Sequence, residues 1–290
     1  MRSTVLFVFF CAGLLVTNWL YAAPIWSNNT AGGDDYLVGT IHLGDQRLSG
    51  LPSKIIQAID KVDAVVLEVD LAKVSPQEQQ RVISKYGLLP AGQTLQSVLS
   101  GSVYMQAKQY LAQQGLDIQQ FQQFRPWMLG LTMVQVAYAR QGLDINHGID
   151  KQIADYASLQ NKQIIGLETF EQQMRFFEQI FKQNSAITND DLILDTLKEL
   201  REYRDMPLEM LDAWLAGDMA VFEKIYKDTL GQSAFDKAAE KILLSERNQV
   251  WAEQLDPLVK NKKVLVAVGT LHLAGENALN KLLTDTFVQF

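Results

Sequence analysis

Cysteine is almost missing from this 290-residue chain, with Cys11 the single one. It lies in the N-terminal apolar segment, so a mature chain without that segment has no disulfide, no thiolate metal ligand and no cysteine nucleophile. Histidine is scarce, at three residues, and proline stands at seven. Lys and Arg number 26 against 33 Asp and Glu, a formal charge of −7, which leaves no basic footprint for nucleic acid. Low-complexity tracts are missing too, and 48% hydrophobic with 20% charged residues is the composition of a globular chain with a large core. Nor is there a G-x-S-x-G, S-x-x-K, H-E-x-x-H, P-loop or G-x-G-x-x-G motif.

The one long apolar stretch runs from Val5 to Val16, behind Arg2 and ahead of Ala22 and Ala23. This reads as a secretory signal peptide over residues 1–22, with cleavage after Ala22 as the first choice; the competing reading is an uncleaved N-terminal anchor, against which the run falls short of the ~20 residues a spanning helix needs. The expected mature chain, residues 23–290, is one soluble α/β domain in the periplasm or outside the cell, with no stable membrane span.

Four β-prone runs punctuate an otherwise helical pattern, at residues 35–41, 63–69, 162–167 and 263–269. Continuous apolar runs of this length predict buried strands in a central parallel or mixed sheet, with many helices and large helical segments inserted between strands. Helix starts are signalled at Ser53, Pro76, Pro126, the Thr169-Phe170-Glu171-Gln172 box, Thr188, Pro207, Ser233 and Ser245, with a last short helix at 278–283. The Gln doublets, Gln172-Gln173 among them, read as solvated helix faces, and Trp127, Trp214 and Trp251 as core anchors.

Two of the three histidines occupy one repeated pattern, Gly39-Thr40-Ile41-His42-Leu43 and Gly269-Thr270-Leu271-His272-Leu273, each just past a predicted strand. Open α/β sheets place ligand groups there. The other two runs end in carboxylates, Glu68 and Glu168, whose charge is costly to bury unless it is paired or bound to a cation. Four parallel strands side by side would bring His42, Glu68, Glu168 and His272 to one sheet edge. Two imidazoles and two carboxylates suit a divalent metal, with Zn²⁺, Mn²⁺, Fe²⁺ and Co²⁺ not separable by ligand type, and a carboxylate off the metal would serve as general base. Arg247 and Asn248, on an early helical turn, read equally as an oxyanion-stabilising pair or a surface ion pair. His147 reads as either a turn residue or a rim residue, and Asp150 as a helix cap or the partner of an imidazole.

These motifs, with Leu67-Glu68-Val69-Asp70, His147-Gly148-Ile149-Asp150, Gly166-Leu167-Glu168-Thr169, Trp214-Leu215-Ala216-Gly217-Asp218 and Glu246-Arg247-Asn248, resemble in order the TraB/GumN family, which includes the Tiki metalloproteases. The resemblance covers nearly all of the mature chain. It implies an α/β fold related to erythromycin-esterase-like and ChaN-like proteins, and a metal-dependent hydrolase of peptidase type. Carried over, it makes His42, His272 and Glu68 the metal residues and Glu68, Glu168, Arg247 and Asn248 the catalytic ones, with Mn, Co or Zn as the ion and a peptide or other small molecule as substrate. The Tiki-like C-terminal membrane anchor is not found after the second motif, so the same substrates are not implied. The alternative is a non-catalytic periplasmic protein that binds metal, haem or another ligand through the same histidines.

Overall fold

A computed structural model describes residues 22–28, 35–183, 187–230 and 233–290. The signal-peptide reading and Cys11 fall outside the described residues, apart from Ala22. All four predicted strands form: β2 (Tyr36–Thr40), β3 (Ala64–Val69), β4 (Gln163–Glu168) and β5 (Val264–Gly269). The sheet has two further strands, β1 (Ile25–Asn28) and β6 (Phe287–Gln289), in the order β4-β3-β5-β2-β1-β6. The β4-β3-β5-β2 block is parallel throughout, whereas β1 runs antiparallel to β2 and β6. The sheet is therefore mixed. Sequence reading missed β1 and β6 because they are short, four and three residues, and their order comes from pairing beside the parallel block rather than from apolar runs of their own.

Long helical stretches separate β3 from β4 and β4 from β5, as the inserted pattern required. One sheet face, with Val38, Val65 and Leu265, packs on helices Ser53–Lys61, Ile149–Leu159 and Met206–Ala216; the other, with Leu37, Val66 and Val266, packs on Trp251 and Leu255 of helix Glu246–Val259. Helices Gly101–Gln113, Pro126–Arg140 and Asn189–Glu202 share a separate apolar cluster around Leu111, Leu129 and Ile193. Among the described residues no helix is long and apolar enough to cross a membrane.

Most of the helix signals operate as read. Pro76 and Pro126 stand in the first helical turn, and Thr188 and Ser233 form full capping boxes. Ser245 is the exception. It lies in a π-helical turn, Lys241–Ser245, that joins helix Ala234–Glu240 to Glu246–Val259, and its backbone is helical with no side-chain cap bond. Its hydroxyl donates to Glu240 instead. A serine followed by Glu and Arg has the composition of a helix start, but buried Ile242 and Leu244 hold the helix continuous through it.

Candidate active site

Parallel pairing brings the four strand ends together at one sheet edge. Thr40 of β2 pairs with Gly269 of β5, and Val69 of β3 with Glu168 of β4. The two Gly-Thr-x-His turns also lock to each other: Thr270 Oγ1 donates to the Thr40 carbonyl at 2.9 Å, and a Cβ on Gly39 would lie 2.8 Å from that same Oγ1. The first glycine thus admits the second motif. Trp214, fully buried, donates its indole N–H to the Gly39 carbonyl at 2.7 Å, which accounts for the Trp-Leu-Ala-Gly-Asp motif as a support beneath the first turn.

On β3, Ala64 and Val66 face the helix Glu246–Val259, and strand alternation points Glu68 the same way. Arg247 meets it there. All five guanidinium N–H groups find acceptors: Nε donates to Glu168 Oε1 at 2.9 Å, Nη2 to Glu168 Oε2 at 3.0 Å and Glu68 Oε2 at 2.7 Å, and Nη1 to the Leu243 carbonyl at 2.8 Å and His272 Nε2 at 3.2 Å. Leu243 lies in the π-helical turn immediately before Arg247. The guanidinium also lies over the Trp251 ring at 4.5 Å and the Phe176 ring at 5.5 Å. Arg247 is buried, so the surface-ion-pair reading is wrong: the carboxylates that needed a partner draw the cation inward.

Asn248, beside it, is also buried. Its Nδ2 donates to the carbonyls of His272 at 3.0 Å and Asn277 at 2.8 Å, so its Oδ1 is left to accept from His272 Nδ1 at 2.6 Å. His272 must then carry its proton on Nδ1, with a lone pair on Nε2. Burial pushes the His272 pKa down to about 3, with Arg247 and His42 adding to the fall and Glu68 opposing it. Burial alone would raise Glu68. His272, Arg247 and His42, with the Gly269 N–H that reaches its Oε1 at 2.8 Å, more than reverse this and hold the carboxyl down to about 2. The pair is an anion beside a neutral imidazole. Burial pushes Glu168 upward, against the pull of Arg247 and the Trp251 indole N–H at 3.0 Å.

His42 differs from this buried group. It follows β2 with 64% of its side chain open to solvent, and its Nδ1 lies 3.2 Å from Asp150 Oδ1. That oxygen is buried and has no aligned hydrogen-bond partner. Asp150 sits in the first turn of helix Ile149–Leu159 behind Gly148 as N-cap, so of its two readings the imidazole partner is the one the structure shows. Crowding around the ring disfavours its charge, but the Asp150 contact and the charge of Glu68 outweigh it and raise the pKa; with most of the ring in solvent, screening limits the rise. Gly148 is required by close approach, since a Cβ there would come within 2.4 Å of the His42 carbonyl oxygen, and Ile149 N–H donates to the Ile41 carbonyl at 2.9 Å. The His-Gly-Ile-Asp motif therefore holds the first histidine turn. His147 itself is half-buried against Asp144, Nδ1 to Oδ2 at 2.9 Å.

Sequence reading missed Gln173, and of Trp251 it gave the core role alone. Gln173 is not simply part of a solvated face, because its Nε2 reaches Glu68 Oε2 at 3.2 Å. Its signal was positional: it follows the Thr169–Gln172 box, whose mutual bonds start the helix directly after Glu168. Trp251 is a core anchor as read, but it also bonds Glu168 and lies 4.4 Å, ring to ring, from His272.

The metal expected from the sequence requires donors that converge with free lone pairs. Among the described residues no group of three His, Cys, Asp or Glu is placed to hold an ion. His272 Nε2 and Glu68 Oε1 do face each other at 3.8 Å. Yet Nε2 accepts from Arg247, Oε1 from Gly269, Oε2 from Arg247 and Gln173, and both oxygens of Glu168 from Arg247. With the guanidinium in place, His272 Nε2 and Glu68 Oε2 are taken by Arg247 and these two residues do not fit a divalent ion.

Fold and site together define an α/β protein with a buried arginine–carboxylate–histidine cluster, and a second, exposed histidine, at the C-terminal edge of its parallel strands. The TraB/PrgY/gumN family model matches residues 24–286, and the chain belongs to that family. It is similar to the Escherichia coli K12 protein YbaP, described as uncharacterized, at 26% identity over 86% of this chain and 87% of that one. A Shigella flexneri YbaP aligns with the same figures, and an uncharacterized Treponema pallidum protein is 21% identical over 79% of this chain and 70% of its own. No solved structure matches.

Proposed function

We propose that the chain is an exported hydrolase of acyl bonds, with a peptide or similar small molecule as substrate. The observation that carries this is His42: solvent-open, held by Asp150, and set at the strand edge beside the buried Arg247 cluster. Open α/β sheets bind substrates at that edge. His42 accepts the proton of the attacking water as the water oxygen bonds to the acyl carbon, and delivers that proton to the leaving nitrogen as the C–N bond breaks. Asp150 orients the ring and favours its protonated form. Glu68 and Glu168, with side chains 13% and 6% exposed, and Asn248 and His272 form the buried part of the site. They act by fixing Arg247 and the sheet edge.

The metal-dependent form of this reading assigns an ion to His42, His272 and Glu68, and asks that Arg247 leave His272 Nε2 and Glu68. Non-catalytic ligand binding is the rival class. Turnover of a peptide library by the purified chain, compared with His42→Ala and Asp150→Asn, separates the two. Hydrolysis in the wild type that falls at least about 100-fold in His42→Ala supports the enzyme, within the range of general acid–base contributions. Binding of peptide with no cleavage supports the rival.

A further inference from the structure

We infer that Arg247 is the resident cation of this centre, filling with its own side chain a latent divalent-metal site made by Glu68, Glu168 and His272. Five acceptors surround one guanidinium: three carboxylate oxygens, one imidazole Nε2 and one main-chain carbonyl, at 2.7 to 3.2 Å. They satisfy every N–H the side chain has, with none left over for substrate. The protein surroundings are equally committed. The Leu243 carbonyl comes from the π-helical turn just before Arg247, and Trp251 and Phe176 lie against the guanidinium.

The charges give the same answer. Two carboxylates with side-chain exposures of 13% and 6% face one positive group. The Asn248 network holds His272 neutral, with its lone pair on the nitrogen turned to Arg247. Remove the guanidinium and a neutral imidazole nitrogen and two carboxylates are left around a vacated cationic position. That donor set suits Mn²⁺, Zn²⁺ or Co²⁺. It differs from the His42-containing set drawn from the sequence in having Glu168 in place of His42, since Glu168 is the group bonded to the guanidinium.

The inference concerns the same site as the proposed hydrolase but is tested by binding rather than turnover, so either can fail without the other. Full-length mature protein, stripped by dialysis against chelator, is titrated calorimetrically with MnCl₂ and ZnCl₂ at neutral pH. The wild type should bind no tighter than about 1 mM at this centre. Arg247→Met should gain one ion per chain at least about 100-fold more tightly, a gain lost again on adding Glu168→Gln, and Arg247→Lys, which keeps a positive charge, should not gain it. Micromolar wild-type binding abolished by Glu68→Gln would overturn the inference, as would a folded Arg247→Met that gains no ion. Should Arg247→Met fail to fold, Mn²⁺ added to ¹⁵N-labelled wild type decides: the Arg247 Nε–H and His272 ring signals stay sharp if Arg247 holds the position, and broaden selectively if an ion displaces it.

Discussion

Asn248 fixes the proton on His272: its amide nitrogen serves two carbonyls, so its Oδ1 accepts from His272 Nδ1 at 2.6 Å and leaves Nε2 bare. The ring therefore stays neutral through the physiological range, with its pKa pushed down to about 3 by burial. Asn248→Asp puts a carboxylate against Nδ1, which favours the imidazolium and raises that pKa. Long-range ¹H–¹⁵N NMR of the imidazoles should show the Nδ1–H tautomer in the wild type down to pH 4 and a titration at higher pH in the variant. An Nε2–H tautomer in the wild type would contradict the assignment.

The two histidines pull stability in opposite directions along the pH scale. His272 titrates lower in the fold than unfolded, so its contribution is complete above the unfolded value near 6.5 and is lost as pH falls toward about 3. Glu68, held down to about 2, adds to the acid loss below its ordinary 4.5. His42 is raised, so its contribution is complete below 6.5 and is lost as pH rises above that, though solvent makes it the smaller term. Urea unfolding across pH should therefore peak near 6.5. His42→Ala should flatten the alkaline side and leave the acid side in place.

Asp150→Asn should lower the His42 pKa without unfolding the chain, because the Asp150 oxygen facing His42 makes no other hydrogen bond. Proton NMR of His42 reads the shift. Hydrolysis that rises with pH as His42 loses its proton should rise from a lower pH in this variant, and an unchanged profile would remove Asp150 from the mechanism.

Much of this site was legible in the sequence. Paired Gly-Thr-x-His motifs and carboxylates at the ends of apolar runs were enough to bring His42, Glu68, Glu168 and His272 to one edge, because parallel strands align their C-terminal ends. What periodicity does not encode is the side chain that meets them from a distant helix. Arg247 comes from a helix 79 positions beyond Glu168, and the choice between surface and core depended on a π-helical turn that the Ser245 pattern disguised as a start. Gln173 was hidden for a related reason: one polar residue in a Gln-rich helix looks like its neighbours until its turn faces Glu68.

Gln173→Ala removes one of two donors to Glu68 Oε2 and leaves Arg247 in place, so it should cost about 0.5–1.5 kcal/mol of stability. Thermal unfolding checks this, and a loss of more than twice that would show the amide to be more than an added hydrogen bond.

Gly148→Ala should be more damaging than an average glycine replacement, since the new Cβ would meet the His42 carbonyl oxygen at 2.4 Å and backbone must move. We expect a loss of roughly 1–3 kcal/mol with a displaced His42 resonance. An unshifted His42 would show that the motif does not hold the first histidine turn.

Peptide hydrolysis by wild type and His42→Ala in the same buffer, with EDTA present in one half of the samples, separates histidine chemistry from metal chemistry. Cleavage by the wild type should survive EDTA and be lost in His42→Ala while the fold, read by circular dichroism, is unchanged. Cleavage that persists in His42→Ala, or that EDTA abolishes and Mn²⁺ restores, would contradict a hydrolase that works through His42 without an ion.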